Sequence, residues 1–292
     1  MPSLSERLAA VPFQLLFGVV GRMLPFRACR IMARPIAVIA WAAGVRRSIT
    51  MRNLTIAFPA ATRAERRRIA RASYVNLITV FLEMLVLRHM SRAAMARAIT
   101  IDNLDLLRGT GANGALLLSA HFGNWELLAL AAGALSGVPF AIVVKEQRDH
   151  GQLNRMRTSH GNSVIPTARA ARETAALLRR GGLVAMLADQ AAADDEPVVR
   201  LFGVPTHTFS APARFALRFR PRVVTAFAAR TKNGTYHAVI RELVYDDLED
   251  TPDGVRELAQ RYVALLEAET LAHPDQWAWQ HRKWKSSPGV RY

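Results

Sequence analysis

Between residues 116 and 187 the chain alternates short apolar runs with helix-forming segments, and this alternation constrains its fold more than any other feature. Runs 116–119, 140–144, 164–165 and 183–187 suit short buried strands. Segments 125–135, 152–160 and 168–180 between them are predicted to be helical. Strands alternating with helices predict an α/β fold with a largely parallel central sheet flanked by helices. Further along, 223–229 and 236–243, separated by Asn233-Gly234, read as a β-hairpin, and 252–271 as another helix. No Gly/Ser-rich or Pro-rich linker and no repeat interrupts the chain, so residues 46–292 are read as a single domain preceded by a helical segment, 1–45.

The chain's 292 residues, 51% of them hydrophobic, can bury a substantial core. A single cysteine, Cys29, rules out an internal disulfide. The net charge of +16 implies anionic partners, for which nucleic acid, an anionic membrane and an acidic carrier or substrate compete. No helix-turn-helix, zinc or aromatic-stacking signature accompanies the charge, which disfavours nucleic acid. Arg66-Arg67-Arg68, within the dense basic run 63–71, reads as the solvated face of a helix or as a contact for a head group or a carrier. No His pair at metal-binding helical spacing has a carboxylate nearby, so neither metal nor cofactor is expected. Gly109-Thr110-Gly111-Ala112-Asn113-Gly114 has dinucleotide-fingerprint spacing, but it precedes a strand instead of following one and reads as a turn.

Residues 8–20 are apolar, but Arg22 and Pro25 interrupt them short of the roughly 20 residues that span a bilayer. With Arg7, Arg22, Arg27, Arg30 and Arg34 interspersed, 1–45 fits a helical segment lying in the membrane interface; a helical cap on the core is the alternative. Trp277, Trp279 and Trp284, near Arg282, Lys283 and Lys285, read as interface anchors, or Gln276-Trp277-Ala278-Trp279 reads as a final strand with its tryptophans buried, burial being favoured for at least one of them.

In open α/β sheets, ligands bind beyond the carboxyl ends of the strands. Three candidate groups fall there: Ser119-Ala120-His121-Phe122-Gly123-Asn124-Trp125-Glu126, then Lys145 with Arg148, then Asp189-Gln190. His121 before a helix and Glu126 in its first turn can meet as a general base and its orienting carboxylate; alternatively, His121 is a buried histidine and Glu126 favours the helix N-terminus. Asn124 is a plausible N-cap, and Gly123 permits close backbone approach. Backbone N–H groups around Gly123, or a nearby arginine, are candidates to hold an oxyanion. Lys145 and Arg148 are candidate phosphate ligands or simple surface charges, and Asp189 orients an acceptor or a basic side chain, or caps a loop.

His121-x4-Glu126, Asp189-Gln190, Leu201-Phe202-Gly203-Val204-Pro205-Thr206 and the block from His273-Pro274-Asp275-Gln276-Trp277 to His281-Arg282 resemble the late acyltransferases of bacterial lipid A biosynthesis. Arg52-Asn53-Leu54 with Ala57-Phe58-Pro59, and Tyr74-Val75-Asn76 with Phe81-Leu82-Glu83, are similar to that family's N-terminal helices. The resemblance implies fatty-acyl transfer from a thioester, on acyl carrier protein or coenzyme A, to a hydroxyl of an anionic lipid A precursor at the cytoplasmic face of the inner membrane. His121 would act as general base held by Glu126, without an acyl-enzyme, and Arg157 resembles an arginine which that family places near its dyad. Another glycolipid, such as a phosphatidylinositol mannoside, or a lysophospholipid is the alternative acceptor, the latter disfavoured by Glu where glycerophosphate-type members usually carry Asp. In a reading of a different class, the protein is a non-catalytic basic membrane- or nucleic-acid-binding protein with a structural dyad.

Overall fold

The computed structural model describes residues 18–19, 21–108, 113–145 and 151–292. Arg148, residues 109–112 of the glycine-rich turn and most of the apolar run 8–20 lie outside the described residues.

Helix α1 (Ala28–Ala42) meets α2 (Arg47–Ala57) at 95°, through a corner with Gly44 and Arg46 at positive φ. Helix α3 (Arg63–Leu87) opens with a reciprocal capping box. The Thr62 backbone N–H donates to Glu65 Oε2 at 2.6 Å, and the Glu65 N–H donates to Thr62 Oγ1 at 3.2 Å. Next come α4 (Arg92–Ala98) and β1 (Ile99–Asp102), followed by the alternating centre. It comprises β2 (Ala115–Ser119), α5 (Trp125–Ser136), β3 (Phe140–Val144), α6 (Gly151–Arg157), β4 (Ser163–Pro166), α7 (Ala170–Leu178) and β5 (Leu183–Leu187). The remainder is β6 (Val198–Leu201), β7 (Val204–His207), α8 (Ala211–Phe219), β8 (Arg222–Thr225), β9 (Ala229–Arg230), β10 (Tyr236–Val239), β11 (Arg241–Glu242) and α9 (Pro252–Ala272).

The sheets are mixed. The six-stranded one runs β11-β8-β2-β5-β3-β4, parallel from β8 to β4, with β11 antiparallel at one edge. A three-stranded sheet, β1-β10-β9, contains one parallel and one antiparallel pair, and β6 and β7 pair antiparallel. The hairpin at Asn233-Gly234 forms only between β9 and β10, with Tyr236 opposite Arg230. Residues 226–228 carry the chain out of one sheet into another, so β8 pairs with β2 and β11 instead of continuing the hairpin arm.

Strand periodicity divides the core between the two faces of the six-stranded sheet. Leu116, Leu118, Val184 and Met186 join the cluster containing Ala213 and Leu217 of α8 and Leu258 and Tyr262 of α9. Ala115, Leu117, Leu183 and Ala185 join the cluster containing Val80 and Met84 of α3 and Leu127, Leu128 and Ala131 of α5. Burial on both faces explains why β2 and β5 are continuously apolar.

One charged side chain is buried deep in this framework. Glu83, 1% exposed, accepts from Arg230 Nη1 at 2.8 Å, Arg230 Nη2 at 3.2 Å, Tyr236 Oη at 2.5 Å and Asn124 Nδ2 at 2.7 Å. It ties α3 to the three-stranded sheet and to the N-cap of α5. Helix α3 is long and apolar enough to cross a membrane, but most of its apolar stretch is buried in the protein and it carries this ion pair.

Trp277, Trp279 and Trp284 are all buried, which bears out the burial alternative and sets aside the interface-anchor one. The expected final strand is also absent: the segment makes a single antiparallel bridge, Phe122 to Trp277, because it wraps as an irregular loop over the chain that leaves β2.

Removing one partner of a buried ion pair strands the other charge. Glu83→Ala is therefore expected to lower the unfolding free energy by about 3–5 kcal/mol, measured by denaturant titration; a change within error would mean that Arg230 finds water instead.

Candidate active site

Strands β2 and β5 are parallel neighbours in a register that sets Ser119 opposite Leu187. His121 and Asp189 each lie two residues beyond those positions, so the register delivers both to the same carboxyl edge of the sheet. Asp189 Oδ1 is 2.8 Å from His121 Nδ1, and its Oδ2 accepts from the His121 backbone N–H at 3.1 Å. The indole N–H of Trp277 donates to the same Oδ2 at 2.9 Å. The wrapping loop is held in place by the Ala278 N–H, which donates to the His121 carbonyl at 3.0 Å.

Burial alone would raise the Asp189 pKa, but the charge and hydrogen bond of His121, the Trp277 N–H and the charge of Lys283 bring it from 3.8 to about 2. The carboxylate is therefore ionised and can only accept, so the proton it binds sits on Nδ1. That leaves a lone pair on Nε2, to which the Gln190 side-chain amide donates at 3.3 Å. Burial opposes a charge on His121, yet Asp189, with Glu126 adding to it and Arg157 acting against it, holds the imidazole pKa above its usual 6.5. About a quarter of the His121 side chain remains open to solvent.

Glu126 does not take the position expected for it. Its buried carboxylate instead grips Arg157, which donates from Nε to Oε2 at 2.9 Å and from Nη2 to Oε1, and it also accepts from Trp125 Nε1 at 3.2 Å. The carboxylate hydrogen-bonded to His121 is Asp189, because register places it there, whereas Glu126 on the first turn of α5 faces the guanidinium at the end of α6. Arg157 and Glu126 make no hydrogen bond or ion pair to His121 in the structure, but the charges of both bear on its imidazole.

The remaining predicted residues divide. The Gly123 N–H donates to the Gln276 carbonyl at 2.9 Å and the Asn124 N–H to the Ala228 carbonyl at 3.3 Å, which removes both as free oxyanion donors. Gly123 has φ +52°, and a Cβ there would lie 1.7 Å from the Ala228 carbonyl oxygen, so the close approach read from the sequence is real. Asn124 caps α5, its Oδ1 accepting from the Leu127 N–H at 2.8 Å, while its amide is spent on Glu83; both of its side-chain groups are structural. Lys145 is exposed at the end of β3. Arg148 lies outside the described residues.

Two residues beside the candidate site were not named as part of it from the sequence. Trp277 was visible as an interface or buried-strand aromatic and within the family-like block, but its bond to Asp189 spans 88 positions. Lys283 is buried, donates to the Gln190 carbonyl at 3.0 Å, and is brought down to about 8 by that burial against the pull of Asp189. Among the described residues, no three His, Cys, Asp or Glu side chains converge as a metal site requires.

A histidine held by a buried carboxylate at the edge of an α/β sheet, within the electrostatic reach of an arginine, has the groups needed to move a proton and offset negative charge. The family profile of the bacterial lipid A biosynthesis acyltransferases matches residues 6–286, and the chain belongs to that family. It is an acyltransferase of lipid A biosynthesis. No curated protein sequence matches the chain.

The linkage of this pair to stability has two limbs. His121, with its pKa raised in the folded state, contributes fully below 6.5 and loses that contribution as pH rises through its folded value. Asp189, depressed to about 2, contributes fully above 3.8 and loses that contribution as pH falls through about 2. The destabilisation caused by Asp189→Asn, followed by urea titration, should therefore be greatest between pH 3.8 and 6.5 and shrink on either side.

Proposed function

We propose that the protein transfers a fatty acyl group from a thioester, carried by acyl carrier protein, to a hydroxyl of a lipid A precursor at the cytoplasmic face of the inner membrane. The observation that carries this reading is the His121–Asp189 hydrogen bond beside Arg157 in a member of this family. The acceptor hydroxyl replaces the Gln190 amide at His121 Nε2, which removes its proton, and the alkoxide attacks the thioester carbonyl. The tetrahedral oxyanion then collapses, the C–S bond breaks, and the departing thiolate takes the proton back from the imidazolium.

Asp189 fixes the tautomer and stabilises the imidazolium. Arg157, aimed by Glu126, offsets the charge that develops on the oxyanion or a substrate phosphate. Glu126 thus serves the reaction through Arg157 and through its charge near His121. Lys283 and Trp277 position Gln190 and Asp189. Direct attack is supported by the state of the alternative nucleophiles: Ser119 donates to the Ala226 carbonyl at 2.7 Å, and burial pushes the Cys29 thiol to about 12.

Residues 1–45 are the membrane-associating segment in this reading. Helix α1 supports it, with Ile31, Met32, Ile36, Val38 and Ile39 exposed beside Arg27 and Arg34.

Incubating a lipid A precursor with acyl-loaded carrier protein should add the mass of one acyl group with wild type, and His121→Ala should lower the rate by about 100-fold or more. Wild-type turnover in that variant would rule out the mechanism. Because only neutral His121 is a base, kcat/KM should fall on the acid side with a pKa above 6.5. Asp189→Asn should move that limb to lower pH, while Glu126→Gln lowers kcat with a smaller displacement of the limb.

A further inference from the structure

Helices α2 and α3 line a cleft of about 760 Å³, to which Trp41 of α1 also contributes and which shares no lining residue with the His121 constellation. Arg47 and Arg52 line it from α2, and Arg63, Arg66, Arg67 and Arg71 from α3. Among the described residues none of the six makes an ion pair. No acidic residue lines the cleft, and α2 carries none; Glu65, the nearest acid on α3, is committed to its capping box. Several of the guanidinium groups are held in place. Arg47 and Arg71 lie 5.8 and 5.7 Å from the Trp41 ring centroid, and Arg66 donates to the Phe58 carbonyl at 3.0 Å.

This arrangement works against the fold. The arginines of α3 crowd its first turns, where the helix dipole disfavours positive charge. Arg63, Arg67 and Arg71 follow one another at the spacing at which like charges repel along a helix. Arg47 and Arg52 face them across the cleft from the second helix. The same field draws an anion: six guanidinium groups line one concavity, and guanidinium groups bind phosphate oxygens bidentately.

The position of the cleft selects the source of the phosphate. Trp41, which lines the cleft, belongs to α1, whose Ile31, Val38 and Ile39 are exposed, so the helix that would meet the head-group layer also supplies part of the cleft wall. We propose that the arginine cleft between α2 and α3 is a binding site for the phosphate head group of an anionic bilayer lipid, separate from the acyl-transfer site. It rests on the membrane contact of α1 and not on the chemistry at His121.

The test uses the full-length protein and sedimentation with vesicles of phosphatidylcholine, alone or doped with phosphatidylglycerol. Arg63→Gln/Arg67→Gln/Arg71→Gln should weaken binding to the anionic vesicles by about a hundredfold, the scale expected for three cationic side chains near an anionic surface, and leave binding to neutral vesicles unchanged. An equal charge removal elsewhere, Arg172→Gln/Arg180→Gln/Arg218→Gln, should leave both nearly intact. The cleft variant should melt close to the wild-type temperature, since relieved repulsion offsets the lost Arg71–Trp41 contact, and that melting temperature distinguishes lost binding from misfolding. Equal losses in both triple variants would overturn the proposal in favour of diffuse charge. Unchanged vesicle binding with lost affinity for an acidic carrier protein would overturn it in favour of the carrier, and displacement by free glycerol phosphate at matched phosphate concentration would overturn the lipid as the source. Ile31→Asp/Val38→Asp tests the α1 contact separately and should lose both kinds of vesicle.

Discussion

The parallel pairing of β2 with β5 is the constraint on which the rest of the site depends. Side chains in a strand alternate with a period of two, so a one-residue slip would turn the core residues of β5 to the opposite face and remove Asp189 from His121. Both strands are buried on both faces, which leaves little freedom in how they sit. Asp189 and His121 are 68 positions apart, yet the geometry between them is a consequence of the register Ser119–Leu187.

Around that edge the protein builds two polar centres with different tasks. Glu83, Arg230, Tyr236 and Asn124 form a buried hub that fixes the start of α5, and therefore the segment carrying His121 and Glu126. Asp189, Trp277 and Lys283 form the second, anchored by the loop that follows α9. Buried charges persist in both because each has a partner of opposite sign and further hydrogen bonds. The irregular loop 273–284 is therefore as much a part of the site as the strands: its tryptophans fill the space behind Asp189, and its backbone holds His121 and Gly123.

The alternation of strands and helices was legible in the sequence because most elements between 115 and 187 carry their own signal: apolar runs of four or five residues for β2, β3 and β5, helix formers between them and Asn124 as a cap, with only Val164-Ile165 marking β4. β3 and β5 fall at the expected residues. The region after 222 was less legible, since the strands there are two to four residues long and the chain crosses between sheets at 226–228. No local pattern marks such a crossing; partner strands decide it. His121, Glu126, Arg157, Asp189 and Gln190 were all visible as candidates, but not their pairing, because a spacing of five between His121 and Glu126 suggests a contact that register gives to a residue 68 positions away.

The sequence by itself determined that strands and helices alternate through the centre of the chain and that His121, Asp189 and Gln190 follow strands, because these depend on periodicity and turn chemistry within short stretches, and its motif blocks carried the resemblance that the family profile bears out. Only the tertiary structure decided which carboxylate holds His121, what Glu126 grips, that three tryptophans are buried, and that six arginines face one another across a single cleft. Those outcomes depend on contacts between segments far apart in the chain, where strand register, helix crossing and the drive to pair buried charge act together, and none of them leaves a mark on local sequence.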